Sequence, residues 1–506
     1  MEQQTNLGDV LSSRYDEVTI ALIDLTNPET PVQMSYAALH RLANKYASYL
    51  SQLELGTGAS VAILGKNSRA YLAAYMGILR AGYVAVPINV KQPSSMVDYV
   101  FADANVQFAL TDPHQSGLVP DGISSMDLWS PEILESDSGD SFLVVQPAGN
   151  DTAEILYTSG STGRPKGVVL SHRSQIEMLR ATGSTGRKPP FRNRCGLVAA
   201  PLFHMNALMF SAAILANDGT AVLLPKFETE LFMRAIEQYQ VQLITGVPTM
   251  IAMLYQLVQD SDNKQFPSVE TVYIGSAPVT NAIILQAHDL FPAAEVINSY
   301  GTTETGGGLF GAHPLGTERP ERSVGYPLPH TEVRLQNPDK NNCGVLEVRS
   351  TSNMTEYLNM PELTAAKIQD GWINTGDKFR VDENGFYYYV GRADDMFVCN
   401  GENIYPGELE SIIEKCDQVV QAGVVPFDDH RRGQIPVAFV VSDGTVQISE
   451  QEIKAFVLSN APAYMHPRHV FFLKELPLAA TNKVDKKRLK TMAEEQLTKL
   501  LVDKEE

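Results

Sequence analysis

A run of small and hydroxyl residues between two apolar segments offers the clearest chemistry in this sequence. Residues 157–172 read YTSGSTGRPKGVVLSH. Glycines let several backbone N–H groups point one way, and hydroxyls and Lys166 add donors and charge, which suits phosphate binding. The spacing is not that of a P-loop NTPase, because Gly167 follows the lysine. A flexible linker is the alternative, but apolar runs at Ile155–Tyr157 and Val168–Leu170 flank the loop and predict that it is anchored.

A second loop follows a strand pattern farther along the chain and reads NSYGTTETGGG at residues 298–308. At the carboxyl end of a parallel strand, such a loop lies where α/β proteins bind ligands. Tyr300 could lie against a purine face, Thr302 could donate to a phosphate, and Glu304 could hold Mg²⁺ between phosphate oxygens. Taken alone, this string is better interpreted as an ordinary loop.

Two further polar residues, Asp377 and Lys483, cannot be assigned a role from their residue type alone. Asp377 stands in the string Thr375-Gly376-Asp377, where a carboxylate could accept from two ribose hydroxyls or simply form an Asx-turn. Lys483 precedes a basic helix and, taken alone, would be a solvated charge.

Together these motifs resemble the adenylate-forming superfamily, which includes acyl-CoA synthetases, peptide-synthetase adenylation domains and luciferases. The resemblance covers nearly the whole chain in order and spacing, and it favours the acyl-CoA synthetase branch of AMP-dependent ligases. It implies an ATP-dependent carboxylic acid:CoA ligase, which forms an acyl-adenylate and pyrophosphate and then an acyl-CoA thioester and AMP. ATP, Mg²⁺ and coenzyme A as co-substrate are implied with it.

The resemblance also assigns roles to residues of this sequence. The implied catalytic residues are Lys483, His204, Glu304 and Thr302. The implied ATP-binding residues are Thr158, Ser159, Gly160, Ser161, Thr162, Gly163, Lys166, Ser299, Tyr300, Gly301, Thr302, Thr303, Asp377 and Arg392. Glu304 and Thr158 would hold the metal ion.

The acyl and CoA sites are implied in the same way. The implied acyl pocket consists of His204, Met205, Gly275, Ser276, Ala277, Gly306 and Gly307, with His204 as a gate. The implied CoA-side loop is Asn400, Gly401 and Glu402, and Asp394 would be the hinge between two domains. Relatives usually carry Gly-Gly where this chain has Asn400-Gly401, and glycine where Asn482 precedes Lys483. The CoA contacts are therefore less well supported than the nucleotide site.

Composition places these motifs in a globular protein of more than one domain. The chain has 506 residues, a formal net charge of −19 and four well-separated cysteines. The negative charge disfavours nucleic acid as a partner, and the cysteine spacing fits a reducing compartment without structural zinc. The start of the chain lacks the pattern of a signal peptide, and no apolar stretch is long enough to span a bilayer, so a cytoplasmic location is expected.

Alternating strand and helix patterns predict how the loops are positioned. The patterns at Val61–Leu64, Ala70–Leu79 and Tyr83–Pro87 form a βαβ unit and predict parallel-sheet α/β subdomains. A strand is also expected at Leu143–Gln146, and Asp112–Asp140 is expected to be a surface excursion. From about Val324 short alternating runs predict a small antiparallel, β-barrel-like unit. A small mobile α+β domain should follow, with residues 1–392 forming the N-terminal adenylation domain and residues 393–506 the C-terminal domain.

Several alternatives stay open. The thiol acceptor could be a carrier protein instead of CoA, and the chain could be a non-catalytic nucleotide-binding relative. The small-molecule acid could be aryl, branched, medium-chain or dicarboxylic. Nothing in the sequence decides whether the protein forms a homodimer.

Overall fold

The computed structural model describes most of the chain. The described residues are 5–9, 16–136, 139, 141–148, 150–158, 164–183, 191–259, 264–399, 402–429, 433–442, 448–479 and 483–502. None of the described helices combines the length and the apolar character that crossing a bilayer requires.

Strands and helices alternate through the first 300 residues. The strands of this part are β1 (Ile20–Asp24), β2 (Val32–Ser35), β3 (Ser60–Leu64), β4 (Val84–Pro87), β5 (Val106–Thr111), β6 (Ser124–Asp127), β7 (Thr152–Thr158), β8 (Lys166–Ser171), β9 (Cys195–Val198), β10 (Thr220–Leu223), β11 (Leu243–Gly246), β12 (Thr271–Gly275) and β13 (Glu295–Ser299). The helices are α1 (Tyr36–Ser51), α2 (Arg69–Arg80), α3 (Ser94–Asp103), α4 (Pro131–Leu134), α5 (His172–Gly183), α6 (Met205–Ala216), α7 (Thr229–Tyr239), α8 (Pro248–Gln259) and α9 (Asn281–Leu290).

Strands dominate the middle of the chain, and helices return after residue 405. The remaining strands are β14 (Phe310–Gly311), β15 (Tyr326–Pro327), β16 (Thr331–Gln336), β17 (Cys343–Ser350), β18 (Glu356–Tyr357), β19 (Ile368–Gln369), β20 (Trp372–Val381), β21 (Tyr387–Arg392), β22 (Phe397–Cys399), β23 (Glu402–Ile404), β24 (Val419–Asp429), β25 (Gly433–Ser442) and β26 (His469–Phe472). The remaining helices are α10 (Pro361–Lys367), α11 (Pro406–Ile413), α12 (Glu450–Asn460) and α13 (Lys486–Val502).

Two seven-stranded sheets form the body of the molecule. One has the order β13-β12-β11-β9-β10-β1-β2 and the other the order β18-β8-β7-β4-β3-β5-β6. Pairing is parallel from β13 to β1 in the first sheet and from β7 to β6 in the second, so the expected parallel α/β architecture is confirmed.

Alternation along the strands divides the core between the two faces of each sheet. Leu22, for example, packs into the cluster that includes α1, α2, α5 and α6, whereas its neighbour Ile23 packs with α7, α8 and α9. A third cluster places α3 on the outer face of the second sheet. Helices therefore lie between the two sheets and outside both, which explains why almost every residue of α2 is buried.

A five-stranded antiparallel sheet confirms the unit expected after Val324. It has the order β16-β17-β20-β19, with β21 paired to β20. The last sheet has the order β23-β22-β25-β24, with β26 parallel to β25. Helices α11 and α12 pack on one face of this sheet and α13 on the other, which confirms the α+β character of the C-terminal part. The proposed domain boundary between residues 392 and 393 stays a prediction.

Two local predictions are wrong. Residues 143–146 form no strand: Leu143 is 92% exposed, and the backbone N–H of Val145 donates to the Arg80 carbonyl at the end of α2. Inside the expected surface excursion, β6 adds a parallel strand beside β5. Its sequence, SSMD, lacks the apolar alternation that would have indicated a strand.

Candidate active site

A tight loop after β13 forms the centre of the candidate site. Gly275 of β12 lies opposite Ser299 at the carboxyl end of the paired strands. The Thr302 hydroxyl accepts from the backbone N–H of Thr305 at 3.3 Å and caps a single 3-10 turn. A Cβ added at Gly301 would come within 2.5 Å of the Gly307 Cα, so the loop can fold back on itself only with glycine there. Thr302 thus has a structural role that the sequence interpretation did not include.

Asp377 joins this loop to the antiparallel sheet. The Tyr300 hydroxyl donates to Asp377 Oδ2 at 2.6 Å, and Arg392 Nη1 lies 3.2 Å from Oδ1. Burial raises the pKa of Asp377, while Tyr300 and Arg392 oppose that shift. An Asx-turn is present, but Asn374 makes it by accepting from the Gly376 N–H at 2.9 Å. The Asp377 carboxylate is therefore presented into the site from β20.

Tyr300 has contacts in addition to the one expected with a purine face. Besides its hydrogen bond to Asp377, its ring packs edge-on against Phe379, with ring centroids 4.7 Å apart. Burial and the neighbouring carboxylate raise the pKa of Tyr300 well above its ordinary value. The phenol is thus a fixed donor that orients Asp377.

Glu304 faces the ends of β7 and β8. The Tyr357 hydroxyl donates to Glu304 Oε1 at 2.7 Å, and the Lys166 ammonium lies 5.5 Å from the centre of the Tyr357 ring. Thr158, the last residue of β7, lies opposite Lys166 in the β7–β8 ladder. No hydrogen bond from a described residue reaches Glu304 Oε2, so that oxygen can take a cation. A single carboxylate oxygen fits Mg²⁺ bound mainly by phosphates and water.

Lys367 is a cation that sequence reasoning missed. Its Nζ donates to the Thr375 carbonyl at 3.1 Å, and Arg392 Nη1 lies 3.5 Å from the same oxygen. Burial lowers the pKa of Lys367, and Glu304 opposes that shift. Tyr357 was also missed. Both residues lie in ordinary segments with no motif, and only the fold brings them beside Glu304.

Lys483 reaches the site from the C-terminal part of the chain. It lines the same cavity, of about 1780 Å³, as Asp377, Arg392 and His204. Desolvation lowers the pKa of Lys483, while the nearby Asp377 carboxylate opposes that shift. An ammonium from the segment between β26 and α13 is therefore close enough to interact with the carboxylate that β20 presents.

His204 stands at the amino end of α6, where the cavity extends into the body. Its ring lies against Phe203, with centroids 4.4 Å apart, and its Nε2 is buried without a hydrogen bond from any described residue. Burial lowers its pKa to about 4, and the positive charges of Lys483 and Lys91 add to the shift. The imidazole is therefore uncharged at neutral pH.

The cavity continues from His204 as a pocket between α6 and the first sheet. Met205, Met209 and Ala213 are four residues apart and share one helix face, which lines the cavity. Across from them, Tyr273 and Ile297 are paired neighbours on β12 and β13. The predicted acyl residues Gly275, Ser276, Ala277, Gly306 and Gly307 line the same cavity beside the loop that follows β13. Ser276 adopts a left-handed φ of 63°, which costs energy for a residue with a Cβ.

Some predicted site residues are elsewhere or cannot be placed. Asp394 is exposed and accepts from Arg392 at 3.3 Å, and Glu402 begins β23. The residues that lie outside the described part of the chain are Ser159, Gly160, Ser161, Thr162, Gly163, Asn400 and Gly401.

The protein-family models match both parts of the chain. Residues 13–358 match the model described as AMP-binding enzyme, and residues 408–483 match the AMP-binding enzyme C-terminal domain. The chain belongs to the AMP-binding enzyme family. The matched regions contain the two glycine-rich loops and Lys483, so the family resemblance seen in the sequence is confirmed.

Relatives in this family align along nearly the whole chain. The long-chain-fatty-acid–CoA ligase FadD13 of Mycobacterium tuberculosis is 30% identical, covering 97% of this chain and 98% of that protein. Feruloyl-CoA synthase of Amycolatopsis sp. is 31% identical, covering 89% and 92%. ATP-bound MatB from Rhodopseudomonas palustris is 25% identical with a TM-score of 0.86 over 97% and 99% of the two chains. The apo structure of MatB gives a TM-score of 0.77.

Family membership establishes the reaction in outline. This AMP-binding enzyme is an AMP-forming acid–thiol ligase that makes an acyl-CoA through an acyl-adenylate. ATP and CoA are its co-substrates, and the acid is a small molecule.

Proposed function

We propose that this ligase activates an elongated, mostly apolar carboxylic acid with MgATP and transfers the acyl group to CoA. One observation carries the proposal. A single cavity runs from Asp377, Arg392 and Lys483 past His204 into the pocket between α6 and β12. A nucleotide at one end and an acyl chain at the other would therefore meet beside His204.

The nucleotide would bind at the end formed by Asp377. Its carboxylate would accept from the ribose hydroxyls, with Tyr300 and Arg392 holding it in place. The glycine-rich loop between Thr158 and Lys166 would supply backbone donors to the phosphates, as would the loop formed by Ser299, Gly301, Thr302 and Thr303. The conformational freedom of glycine supports this assignment, as does the position of Lys166 beside Tyr357, which donates to Glu304.

Glu304 is the carboxylate suited to Mg²⁺, because Tyr357 anchors one of its oxygens and leaves the other available. Thr158 could contribute its hydroxyl from the end of β7. The metal would supply positive charge between phosphate oxygens. Lys367 adds a protein cation close by, which would help to neutralise the pyrophosphate as it departs.

Lys483 would contact both the substrate carboxylate and the α-phosphate. In the first half-reaction a carboxylate oxygen bonds to the α-phosphorus, and the bond to the bridging oxygen of pyrophosphate breaks. Two anions must approach each other, so a preorganised ammonium stabilises the transition state more than the ground state. The lysine lies near Asp377 and His204, where these groups would meet.

The pocket beyond His204 favours the elongated acid. Its wall carries Met178, Met205, Met209 and Phe210, which are flexible or apolar side chains that fit a chain or ring. An uncharged His204 can border such a group without placing a buried charge beside it. The names of relatives that act on a long-chain fatty acid and make feruloyl-CoA agree with this class.

The second half-reaction would need a different arrangement of the C-terminal part. The CoA sulfur would bond to the acyl carbon while the bond to the AMP oxygen breaks. Asp394 is exposed between β21 and β22, which suits a hinge, and the loop of Asn400, Gly401 and Glu402 follows it. Rotation there would withdraw Lys483 and bring this loop to the adenylate.

Acid-dependent pyrophosphate release tests the proposal. Purified enzyme with MgATP is assayed against cinnamic, benzoic, decanoic, butyric and decanedioic acids, with and without CoA. We expect release with the elongated apolar acids and acyl-CoA only when CoA is present. Lys483→Ala should lose adenylation by on the order of a hundred- to a thousandfold. The control Lys487→Ala changes an exposed lysine of α13 and should match the wild type.

Two outcomes would contradict the proposal. Preference for butyric or benzoic acid would show that the pocket does not set the acid class. Equal loss in the Lys487→Ala control would show that the effect of Lys483→Ala is not specific to the site.

A further inference from the structure

The acyl pocket runs along β12 and β13, from the carboxyl ends of these strands to their amino ends. Thr271, Tyr273 and Gly275 alternate along β12 and all line the cavity, as do their partners Glu295, Ile297 and Ser299 on β13. The five residues from Thr271 to Gly275 span four intervals of ~3.3 Å, so this part of the pocket is about 13 Å long. The end beside Gly275 and Ser299 adjoins the proposed nucleotide site. The opposite end, beside Thr271 and Glu295, is called the far end.

The middle of the pocket is aromatic. Tyr273 stacks on Phe191 with ring centroids 6.0 Å apart, and Phe210 meets Tyr273 edge-on at 6.1 Å. These rings hold the tyrosine side chain in place. The charged groups near its phenol are Glu295, Arg319 and Arg194, and Glu295 is the partner of Thr271 at the amino end of β12.

The Tyr273 hydroxyl has no hydrogen-bond partner among the described residues, and the Tyr273 side chain lines the cavity. Burial raises its pKa to about 12, so it stays protonated and can both donate and accept. A ligand that fills this part of the cavity would displace water from the hydroxyl, and a matching polar group on the ligand would restore the hydrogen bond. The charged groups at the far end form two ion pairs, Arg194 with Glu270 and Arg319 with Glu295.

Those paired groups limit the charge that the far end can accept. Arg194 forms an ion pair with Glu270, which also accepts from Gln242 at 2.9 Å. Arg319 lies 3.4 Å from Glu295 and donates to the Val296 carbonyl at 3.2 Å. Two arginines and two glutamates cancel, so a second carboxylate would lose its hydration without gaining a net positive charge.

We propose that the far end of the acyl pocket binds an uncharged hydrogen-bonding group, a hydroxyl or a carbonyl, on the distal part of the acid, through the Tyr273 hydroxyl. This inference rests on the proposed function and refines it. The substrate is an elongated, mostly apolar acid with a polar tail. A dicarboxylic acid is disfavoured because Glu270 and Glu295 already neutralise Arg194 and Arg319, which leaves no net positive charge for its second carboxylate.

Matched acids and a one-atom variant test the inference. ATP–pyrophosphate exchange without CoA isolates the adenylation step. The acids form two series: cinnamic, 4-hydroxycinnamic and 4-carboxycinnamic acid, and decanoic, 10-hydroxydecanoic and decanedioic acid. We expect wild-type kcat/KM for the better hydroxy acid to exceed that of its parent by about tenfold, with the diacid poorest.

Tyr273→Phe removes only the hydroxyl and keeps the stacked ring. The hydroxy-to-parent ratio should fall to about one, while kcat/KM for the parent acid stays within about twofold. Tyr255→Phe is the matched control, because it removes a phenol on the outer helix α8 that bonds Asp289. It should leave the ratio unchanged.

Each contrary result has its own meaning. A ratio near one in the wild type, a preference for the diacid, or a ratio that survives Tyr273→Phe would overturn the inference and leave the proposed function intact. If no acid of either series supports exchange, the proposed acid class is wrong, and the inference is wrong with it.

Discussion

The two ends of the cavity are built in different ways. At the nucleotide end, each key carboxylate is anchored by a tyrosine: Asp377 by Tyr300 and Glu304 by Tyr357. At the acyl end, methionines and aromatic rings dominate, and the Tyr273 hydroxyl is unpaired among the described residues. Rigid polar anchoring suits ATP, which is the same in every reaction of this kind. Flexible apolar walls would allow the same fold to accept different acids.

The largest effect on the nucleotide end is expected from a substitution of Asp377. Asp377→Ala would remove the proposed ribose acceptor and leave the Tyr300 hydroxyl and Arg392 without their shared partner. We expect kcat/KM for ATP in pyrophosphate exchange to fall by on the order of a hundredfold or more, because preorganised polar contacts carry effects of that size. The KM for the acid should change little.

Tyr300→Phe serves as the graded control for that experiment. It keeps the carboxylate and its contact with Arg392 but removes one hydrogen bond, so the loss should be about tenfold or less. An Asp377→Ala variant with normal use of ATP would show that β20 does not contribute to nucleotide binding.

At the acyl end, activity should depend on the volume of the side chains that line the pocket and not on their charge. Ala213 is buried in α6 and lines the far part of the pocket. Ala213→Phe would fill that part, and we expect kcat/KM for cinnamic or decanoic acid to fall by about ten- to a hundredfold. Butyric acid, which is too short to reach residue 213, should keep its rate, and the KM for ATP should not change.

Overpacking could also destabilise the helix, so the melting temperature of Ala213→Phe is measured in parallel. Equal losses for long and short acids with an unchanged melting temperature would contradict the placement of the acyl chain along α6.

The difference between the ends also explains what the sequence could predict. The parallel α/β body, the antiparallel unit and the C-terminal α+β sheet followed from strand and helix periodicity. Asp377, Glu304 and Lys483 stood in short contiguous motifs, because backbone turns and a few polar groups must adjoin to hold phosphate and ribose. Their roles at the site remain predictions.

The residues that the sequence did not reveal come together only through the fold. Tyr357, Lys367 and Tyr273 come from strands and a helix with no motif, and each looks like an ordinary residue of its element. β6 was missed for a similar reason, since its backbone pairs with β5 although its side chains lack apolar alternation. Pairing across the sheet outweighed local pattern in that case.

His204, at the junction of the two ends, allows the smallest and most discriminating test. Burial and the charges of Lys483 and Lys91 lower its pKa to about 4, so it is uncharged from about pH 5 upward. Between pH 8 and pH 6 the protonation of His204 should therefore not change. Any inflection of the adenylation rate in this range should be the same in the wild type and in His204→Phe. The variant should retain the shape of the wild-type pH profile, with any change confined to acid preference.

An inflection near pH 6.5 in the wild type that disappears in His204→Phe would mean that the imidazole titrates at its ordinary pKa. The histidine would then belong to the polar, charge-handling end of the cavity and not to the apolar one.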